Sequence, residues 1–501
     1  MSEAATTFRY QSRGRLLVIG TLAATARLDG RLAGDLVPTR MQPPDSRAGA
    51  GREPAPRITR LRGHLGAFEA SYDDGEGTPR YAAFDMVLDL AEPALIVAEL
   101  PPPGYFAPRD EATLRTALDE LAGLTGTFEK PIFFRYEHTL CAHGDHGVDG
   151  CTRCLDACAA EAISSDGNAI VVDAARCQGC GACATRCPTG ALAYLEPNTA
   201  QVLADIHSAL AAAPADECRI VQVAATAPAA PTAGMIPLTL DEPAAHGMEC
   251  WLGALAWGAD GVVIVCPPGM PTRSRRVLED ELANARGLLA ALGIAGTRIA
   301  LADTDEDNRC ARTAIADLPA SDHATRGLLP SGDKRLFLRR ALAALAAAGA
   351  ASPEPVALPP TAPFGNVVVD TRACTLCMAC VAQCPTHALR AGGDVPRLDF
   401  VEADCVQCGA CRSTCPEQAI SLSPRLAPAP GAAMPRELHR DEAFRCRRCA
   451  TPFAPRSVIE RMHARLARHT MFADPDARAA LELCADCRAA HMLGVRGRSA
   501  P

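Results

Sequence analysis

The sequence predicts a multidomain protein of the α/β and α+β classes. It would contain two small cysteine-rich modules, a central α/β domain with a parallel sheet and a small C-terminal metal-binding domain. First, the 501 residues include 24 cysteines, mostly in C-x2-C groupings typical of metal ligands in a long chain. Second, short apolar strands alternate with helices between two cysteine-rich regions, which favours a parallel sheet. Third, segments rich in proline and alanine separate parts of the chain. The predicted domains are residues 1–135, 136–200, 201–350, 364–423 and 436–501.

The composition argues against two classes of protein. The formal net charge of −8 argues against a dedicated nucleic-acid binder. No stretch reaches the roughly eighteen apolar residues that a membrane span requires, so we expect no membrane span. Residues Arg15–Gly20 predict a buried strand, although Leu16–Ala26 also has features of a signal peptide. Because this apolar run is short and diluted by alanine, we favour the strand and a cytoplasmic location.

The N-terminal domain, residues 1–135, carries few functional signals. The Pro/Gly/Arg-rich segment Val37–Arg57 predicts a mobile loop. Phe84–Leu90 predicts a buried strand, and Asp110–Leu124 has apolar residues at helical spacing. Gly104–Phe106 is interpreted as a packed turn, with a docking or cofactor loop as the alternative.

The first cysteine region contains one complete run and one divergent run. The complete run, Cys177 to Pro188, has the spacing C-x2-C-x2-C-x3-C-P. This spacing is typical of [4Fe–4S] ligation, in which the fourth cysteine of each run binds the other cluster. The divergent run lacks a first cysteine at the usual position, and Cys141 can supply it across the insert Ala142–Gly150, since closing a few extra residues costs little. The predicted ligand groups are Cys141, Cys151, Cys154 and Cys187 for one cluster, and Cys158, Cys177, Cys180 and Cys183 for the other.

Two further features lie in this region. His143 and His146 are in the insert and could ligate or tune a cluster, but we favour two solvated loop histidines. Ala162–Val172 predicts a β-hairpin with Asp166 and Gly167 at its turn.

The central domain is predicted to be α/β. Its expected strands and helices are Cys218–Val223, His246–Trp257, Gly261–Val265, Val277–Leu292 and Thr297–Leu301. The sequence contains neither a G-x-G-x-x-G motif nor a P-loop, so it gives no support for a dinucleotide site. Its scattered cysteines are interpreted as unpaired small apolar residues of the core. They are Cys218, Cys250, Cys266 and Cys310.

The second cysteine region has two complete runs, Cys374 to Pro385 and Cys405 to Pro416. Inert buried cysteines or a disulfide scaffold are disfavoured, because two runs at this spacing are hard to obtain by chance. With the fourth cysteines exchanged, the predicted groups are Cys374, Cys377, Cys380 and Cys415 for one [4Fe–4S] cluster, and Cys384, Cys405, Cys408 and Cys411 for the other. Ala350–Pro363 and Pro424–Pro435 are predicted to be spacers on either side.

The C-terminal segment contains two separate C-x2-C pairs. Four thiolates on two turns suit one tetrahedral zinc ion, and a rubredoxin-like iron would use the same ligands. The four cysteines are Cys446, Cys449, Cys484 and Cys487, with a predicted helix, Ser457–His469, between the pairs.

Three resemblances follow from these residues. Asn366–Leu422 resembles the bacterial two-cluster ferredoxin module. Trp251–Val262 resembles part of the hydrogenase delta-subunit family, but that family's cysteine-ligated [2Fe–2S] site has no counterpart here. Together with Phe128–Pro131, Cys141–His143 and Gly150–Asp156, the order of parts resembles a proteobacterial family of large [4Fe–4S] ferredoxin-type proteins. Members are often encoded near formate dehydrogenase components, which implies a role in electron supply or enzyme assembly.

The function that we expect is single-electron transfer through four [4Fe–4S] clusters, to or from a redox partner for which formate dehydrogenase is the candidate. Two alternatives remain. One is a flavin- or disulfide-linked oxidoreductase subunit, although the sequence shows no nucleophile–base pair and no catalytic carboxylate pair. The other is an assembly or regulatory factor that senses iron or oxygen. The sequence leaves open whether the chain is an enzyme.

Overall fold

The computed structural model describes most of the chain. The described residues are 7–44, 56–74, 78–144, 150–214, 217–227, 234–321, 327–348, 351–393, 395–427, 431–472 and 474–493. Within these ranges, no helix has both the length and the apolar character needed to cross a bilayer.

The N-terminal domain is built on a four-stranded parallel sheet with strand order β3-β2-β7-β8. Strand β2, Arg15–Ile19, is the strand predicted from the apolar run, and Leu16 to Ile19 are fully buried. Burial on both faces explains why this strand is continuously apolar. The strands are β1 (Thr7–Ser12), β2, β3 (Val37–Met41), β4 (Arg57–Arg62), β5 (Phe68–Asp73), β6 (Arg80–Phe84), β7 (Met86–Asp89), β8 (Tyr105–Phe106) and β9 (Gly126–Pro131), and the helices are α1 (Leu22–Ala26) and α2 (Glu111–Ala122).

One prediction in this domain is wrong in part. Val37–Met41, expected to be mobile loop, is the edge strand β3, which pairs in parallel with β2. Four of its five residues are exposed and one is Pro38, which an edge strand tolerates, so no apolar pattern marks it. Residues 45–55 of the same predicted loop lie outside the described ranges. Tyr105 is packed as expected, but it belongs to strand β8 and not to a turn. Its hydroxyl donates to Asp89 Oδ2 at 2.5 Å.

The two cysteine-rich modules share one topology, in which an outer antiparallel pair of strands encloses an inner hairpin and two short helices. In the first module the outer pair is β10–β13 and the hairpin is β11–β12, whose turn holds Asp166 and Gly167 as predicted. In the second module the outer pair is β19–β22 and the hairpin is β20–β21. The first module contains β10 (Phe134–Tyr136), α3 (Arg153–Ala157), β11 (Ile163–Ser165), β12 (Ile170–Val172), α4 (Ala182–Arg186) and β13 (Leu192–Tyr194). The second contains β18 (Val356–Ala357), β19 (Gly365–Val369), α10 (Ala379–Ala382), β20 (Leu389–Ala391), β21 (Arg397–Phe400), α11 (Ala410–Ser413) and β22 (Ile420–Leu426).

The central domain is a four-stranded parallel sheet of order β15-β14-β16-β17 with helices packed against it, as predicted. Its core includes Trp251 and Phe337, both buried. Of its scattered cysteines, Cys250 and Cys266 are buried, whereas Cys218 and Cys310 are exposed, contrary to the expectation of core positions. The elements are α5 (Thr199–Ala212), β14 (Ile220–Ala224), β15 (Met235–Thr239), α6 (Met248–Ala256), β16 (Gly261–Val265), α7 (Thr272–Ala291), β17 (Ile299–Ala302), α8 (Asp305–Ala316) and α9 (Lys334–Ala348).

Helix α9 contacts both modules with two consecutive residues at its start. The Lys334 ammonium donates to the carbonyls of Ala184 and Thr185 in the first module, at 2.9 and 2.7 Å. The Arg335 guanidinium donates to the Cys405 carbonyl in the second module at 2.7 Å. Both modules therefore lie against one end of one helix of the central domain.

The segment between the central domain and the second module is packed, so its interpretation as a spacer is wrong for the residues that the structure describes. Strand β18 pairs with β22, and Leu358 and Ala362 are buried. The following predicted spacer is also partly ordered, since β22 continues to Leu426, but its residues 428–430 lie outside the described ranges.

The C-terminal segment is joined to the second module by a strand. Strand β23 pairs with β21 and extends the β20–β21 hairpin to three strands. Arg461 and Arg465 of helix α12 form ion pairs with Glu417 of the second module, at 2.6 and 2.9 Å. The elements are β23 (Arg436–Arg440), β24 (Ala443–Arg445), β25 (Pro452–Pro455), α12 (Arg456–Leu466), α13 (Pro475–Ala479) and α14 (Ala485–Met492).

Close packing of the first module on the central domain leads to a testable difference between two glycines. Gly181 and Gly409 follow the second cysteine of their runs, and both have positive φ, +71° and +89°. A Cβ at Gly181 would lie 2.3 Å from the Cβ of Ala245, whereas a Cβ at Gly409 would meet no atom within 4 Å. Gly181→Ala should therefore add an overpacking cost of about 1–3 kcal/mol to the backbone strain of about 1–2 kcal/mol that both variants share.

The measurement is the temperature at which each variant loses its visible absorbance, compared with the unmodified protein. Gly409→Ala is the matched control. Equal midpoints for Gly181→Ala and Gly409→Ala would contradict the close packing of Gly181 on Ala245.

Candidate metal centres

The sixteen cysteines of the two modules are brought together in four groups of four. Three groups line small enclosed cavities, and we name each group by one member. The Cys374 group is Cys374, Cys377, Cys380 and Cys415. The Cys405 group is Cys384, Cys405, Cys408 and Cys411. The Cys141 group is Cys141, Cys151, Cys154 and Cys187. The Cys177 group is Cys158, Cys177, Cys180 and Cys183, whose charges act on one another.

In each group three thiols come from one run and the fourth from its neighbour. Cys384 lies with the Cys405 group and Cys415 with the Cys374 group, although each belongs to the other run. Cys187 lies likewise with Cys141, Cys151 and Cys154. The exchange arises because the fourth cysteine of each run lies at or just after the end of a short helix, which carries it away from the first three.

Left-handed backbone conformations shape the loops around each group. In the three complete runs, the residues that flank the second cysteine all have positive φ, with values between 53° and 89°. These residues are Gly179, Gly181, Leu376, Met378, Gln407 and Gly409. Three of the six are glycines, which adopt this region readily, whereas Leu376, Met378 and Gln407 are not glycines and rarely adopt it. In the divergent run the equivalent Thr152 has φ of −112°, so its loop follows a different path.

A second repeat follows the fourth cysteine of every run. The residue three positions later has positive φ in all four cases, namely Glu161, Gly190, His387 and Gln418. In two of these turns a backbone N–H then reaches the sulfur: Ala162 N lies 3.2 Å from Cys158 Sγ and Ala419 N lies 3.4 Å from Cys415 Sγ. Such N–H donors favour a more negatively charged sulfur ligand and so raise the potential of a bound cluster.

Burial raises the pKa of several of these thiols, which favours their protonated form when no metal is bound. Burial, followed by the charges of neighbouring cysteines, raises the pKa of Cys380 to about 12. Burial likewise raises the pKa of Cys408 to about 12, although an N–H donor from Ala410 opposes it. Four buried thiolates repel one another, so deprotonation needs a cationic partner at the centre of the group. The donor set of four soft sulfur atoms in an otherwise apolar cavity fits an iron–sulfur cluster.

His143 differs from the expectation of a solvated loop residue, because its side chain is buried. Its Nδ1 donates to the Cys151 carbonyl at 2.9 Å, and its Nε2 lies 2.7 Å from Ser165 Oγ. Both ring nitrogens are thus engaged, and the histidine holds the loop that carries Cys151. The sequence feature that could have indicated this burial is Ser165, on the neighbouring hairpin. His146 lies outside the described residues.

A positively charged side chain lies beside each group, and most come from another part of the chain. Lys130 of the N-terminal domain donates to the Ala175 carbonyl at 2.9 Å and also to that of Cys177. Arg153 lies beside Cys151, and Arg335 of the central domain lies beside Cys405. Arg461 of the C-terminal segment acts on Cys374. Burial lowers the pKa of Arg335 to about 10, so its guanidinium remains charged at neutral pH.

The four C-terminal cysteines also converge. The sulfur atoms of Cys446, Cys449, Cys484 and Cys487 all lie within 4.8 Å of one another. Burial alone would raise the pKa of Cys446, but N–H donors from Cys484, Cys449 and Arg448 outweigh it and lower the pKa to about 6. A thiolate favoured in this way is the form that ligates a metal, so the group can hold one ion with four sulfur ligands.

Comparison with known families supports the two modules. Residues 149–191 match a model of a 4Fe-4S dicluster domain, and residues 366–420 match a second model of the same description. The first match begins after Cys141, so it does not include that cysteine. A search of the curated proteins finds no match to this chain.

The exchange of fourth cysteines predicts which centre a substitution damages. Cys384→Ser should perturb the centre of the Cys405 group and leave that of the Cys374 group intact, although Cys384 belongs to the Cys374 run. Mössbauer and EPR spectra of anaerobically prepared protein distinguish the two centres. Cys415→Ser is the matched control and should show the reverse. Loss of the Cys374 centre alone in Cys384→Ser would refute the exchange.

The C-terminal group predicts a different result. Cys446→Ser should lower the stability of residues 436–501 and release the metal bound there, because a bound ion contributes directly to folding of such a segment. The visible absorbance of the two modules should remain. Limited proteolysis and metal analysis measure the two effects. Cys310→Ser, at an exposed cysteine outside the group, is the control. Retention of the metal by Cys446→Ser would exclude Cys446 as a ligand.

Proposed function

We propose, on the premise that residues 149–191 and 366–420 are 4Fe-4S dicluster domains, that this protein relays single electrons through four [4Fe–4S] clusters. The sixteen cysteines of the four groups would hold them. The observation that carries the proposal is the convergence of four thiols, three from one run and one from its neighbour. A bound [4Fe–4S] cluster supplies one-electron chemistry at a potential that its protein surroundings set.

The surroundings of the groups suit this task. The cavities are lined mainly by cysteines and apolar side chains, with a few polar residues such as His143, Thr386 and Glu417. This lining limits the access of water to most of the sulfur atoms. The N–H donors and the nearby cations favour the reduced state of a bound cluster, which carries one more negative charge than the oxidised state. The N–H donors belong to turns, and the cations donate to backbone carbonyls. Both kinds of group are therefore held in place before an electron arrives.

The Cys374 group is the proposed point of contact with a redox partner. All sixteen module cysteines lie in the described ranges, and Cys377 is the exposed one among them. Electron transfer between proteins requires a centre close to the surface, because tunnelling weakens steeply with distance. Cys377 and the adjacent Met378 mark such a position.

The identity of the partner and the role of the other domains are part of the proposal. The central domain would act as a scaffold, a role consistent with its resemblance to the hydrogenase delta-subunit family. Formate dehydrogenase is the proposed partner on the basis of the resemblance over the whole chain, and the cytoplasm is the proposed location. The C-terminal group would hold structural zinc, with iron as the alternative ion. The protein would act as a carrier or as a subunit of an oxidoreductase.

Metal content and electron uptake test the function together. Anaerobically prepared protein should contain about sixteen iron atoms and take up about four electrons per molecule, one per cluster. Colorimetric iron analysis and a reductive titration followed by EPR provide the two numbers. A single zinc should accompany the iron. Protein that is fully loaded with iron but accepts no electrons at accessible potentials would refute the proposal.

A further inference from the structure

The contacts within and between the two modules define the order of the four cysteine groups in space. Within the first module, Cys154 of the Cys141 group lies in helix α3 and Cys158 of the Cys177 group caps its end, so about one helical turn separates them. Within the second module, Cys380 of the Cys374 group lies in helix α10 and Cys384 of the Cys405 group follows just after its end, again about one helical turn away. The two groups of each module are therefore neighbours.

The Cys141 and Cys405 groups are also neighbours, although they belong to different modules. Gly150 in the first module and Ala410 in the second each stand next to a ligand of one of these groups. The backbones approach closely at the same place, since a Cβ added at Gly150 would lie 3.3 Å from the Cβ of Ala410. Gly150 precedes Cys151 and Ala410 precedes Cys411. Because each cysteine is one residue away from this contact, and consecutive Cα atoms are about 3.8 Å apart, the Cα–Cα separation of Cys151 and Cys411 is at most about 14 Å.

Arg153 occupies the junction between these two groups. Its guanidinium donates to the Thr361 carbonyl at 2.9 Å, in the segment that leads into the second module. Arg153 also lines the cavity of the Cys141 group, together with Cys151 and Cys154. A single cation thus links the Cys141 group to the segment that enters the second module, from a partly buried position where its charge is screened less than at the surface.

We propose that the sixteen cysteines form one linear series of four centres, in the order Cys177, Cys141, Cys405 and Cys374 group, and that Arg153 controls electron passage between the modules. This inference rests on the proposed electron-transfer function and adds its route. Each passage oxidises one centre by one electron and reduces its neighbour by one, with no bond formed or broken. Arg153 acts as a positioning residue, because it fixes the junction and stabilises added negative charge on either side of it.

The order is tested with a variant that retains only the middle pair. Cys183→Ala combined with Cys380→Ala removes one ligand from each outer group and leaves the Cys141 and Cys405 groups complete. After full reduction, pulsed EPR should show magnetic coupling between two paramagnetic centres, with faster relaxation than in variants that retain one centre. Two independent, uncoupled signals would overturn the proposed order while leaving electron transfer within each module intact.

The role of Arg153 is tested in the full chain, so the proposal remains falsifiable if the double variant does not fold. Arg153→Gln should lower the reduction equilibrium constant of two of the four centres about tenfold, which corresponds to about 59 mV for one electron. Arg153→Lys should restore most of this loss because it keeps the charge. Arg286→Gln removes an arginine that donates to the Ile299 carbonyl within the central domain, and is the control.

An EPR-monitored redox titration distinguishes failure of the role of Arg153 from failure of the proposed electron-transfer function. A shift of two centres in Arg153→Gln, absent in Arg286→Gln, supports the junction. Unchanged potentials in Arg153→Gln, with all four centres reducible, overturn the role of Arg153 and leave the proposed function standing. Centres that cannot be reduced in the unmodified protein overturn both.

Discussion

The convergence of four thiols, most of them partly or fully buried, from two separate runs is the constraint on which both modules depend. Each module has few large apolar side chains, and its own cysteines form part of the core, as Cys154, Cys158 and Cys187 do in the first. Two short helices and two strand pairs form the module, and together they position the sulfur atoms. A module of this kind gains much of its stability from what the thiols bind, since a buried set of four thiolates is unfavourable without a metal.

The rest of the chain supplies what a small module cannot provide by itself, namely positive charge and a fixed orientation. Lys130, Arg335 and Arg461 reach the cysteine groups from three different parts of the protein. Partly buried cations of this kind act more strongly on a nearby centre than exposed ones, because solvent screens them less. The surroundings of three of the four cysteine groups therefore include parts of the chain that contribute no ligand to them. Such a division of tasks is consistent with the proposed electron-transfer function.

Much of this arrangement could be predicted from the sequence, because cysteine spacing is a local signal with a strong geometric consequence. The four groups, the hairpin turn at Asp166 and the parallel central sheet were all expected. The burial of His143 was not, because it depends on Ser165, which lies on a hairpin distant in sequence. The edge strand Val37–Met41 escaped detection because it is exposed and polar. The packed segment around Thr361 looked like a spacer because its partner, Arg153, is more than 200 residues earlier.

The exposure of Cys377 determines where oxygen is expected to damage the protein first. Oxidants attack thiolates and their metal bonds according to access, and fifteen of the sixteen module cysteines are shielded to a greater degree than Cys377. Damage by oxygen should thus begin at the Cys374 group and reach the better shielded groups later. If this group is the proposed point of contact with a partner, the same exposure serves electron exchange and makes the group sensitive to oxidation.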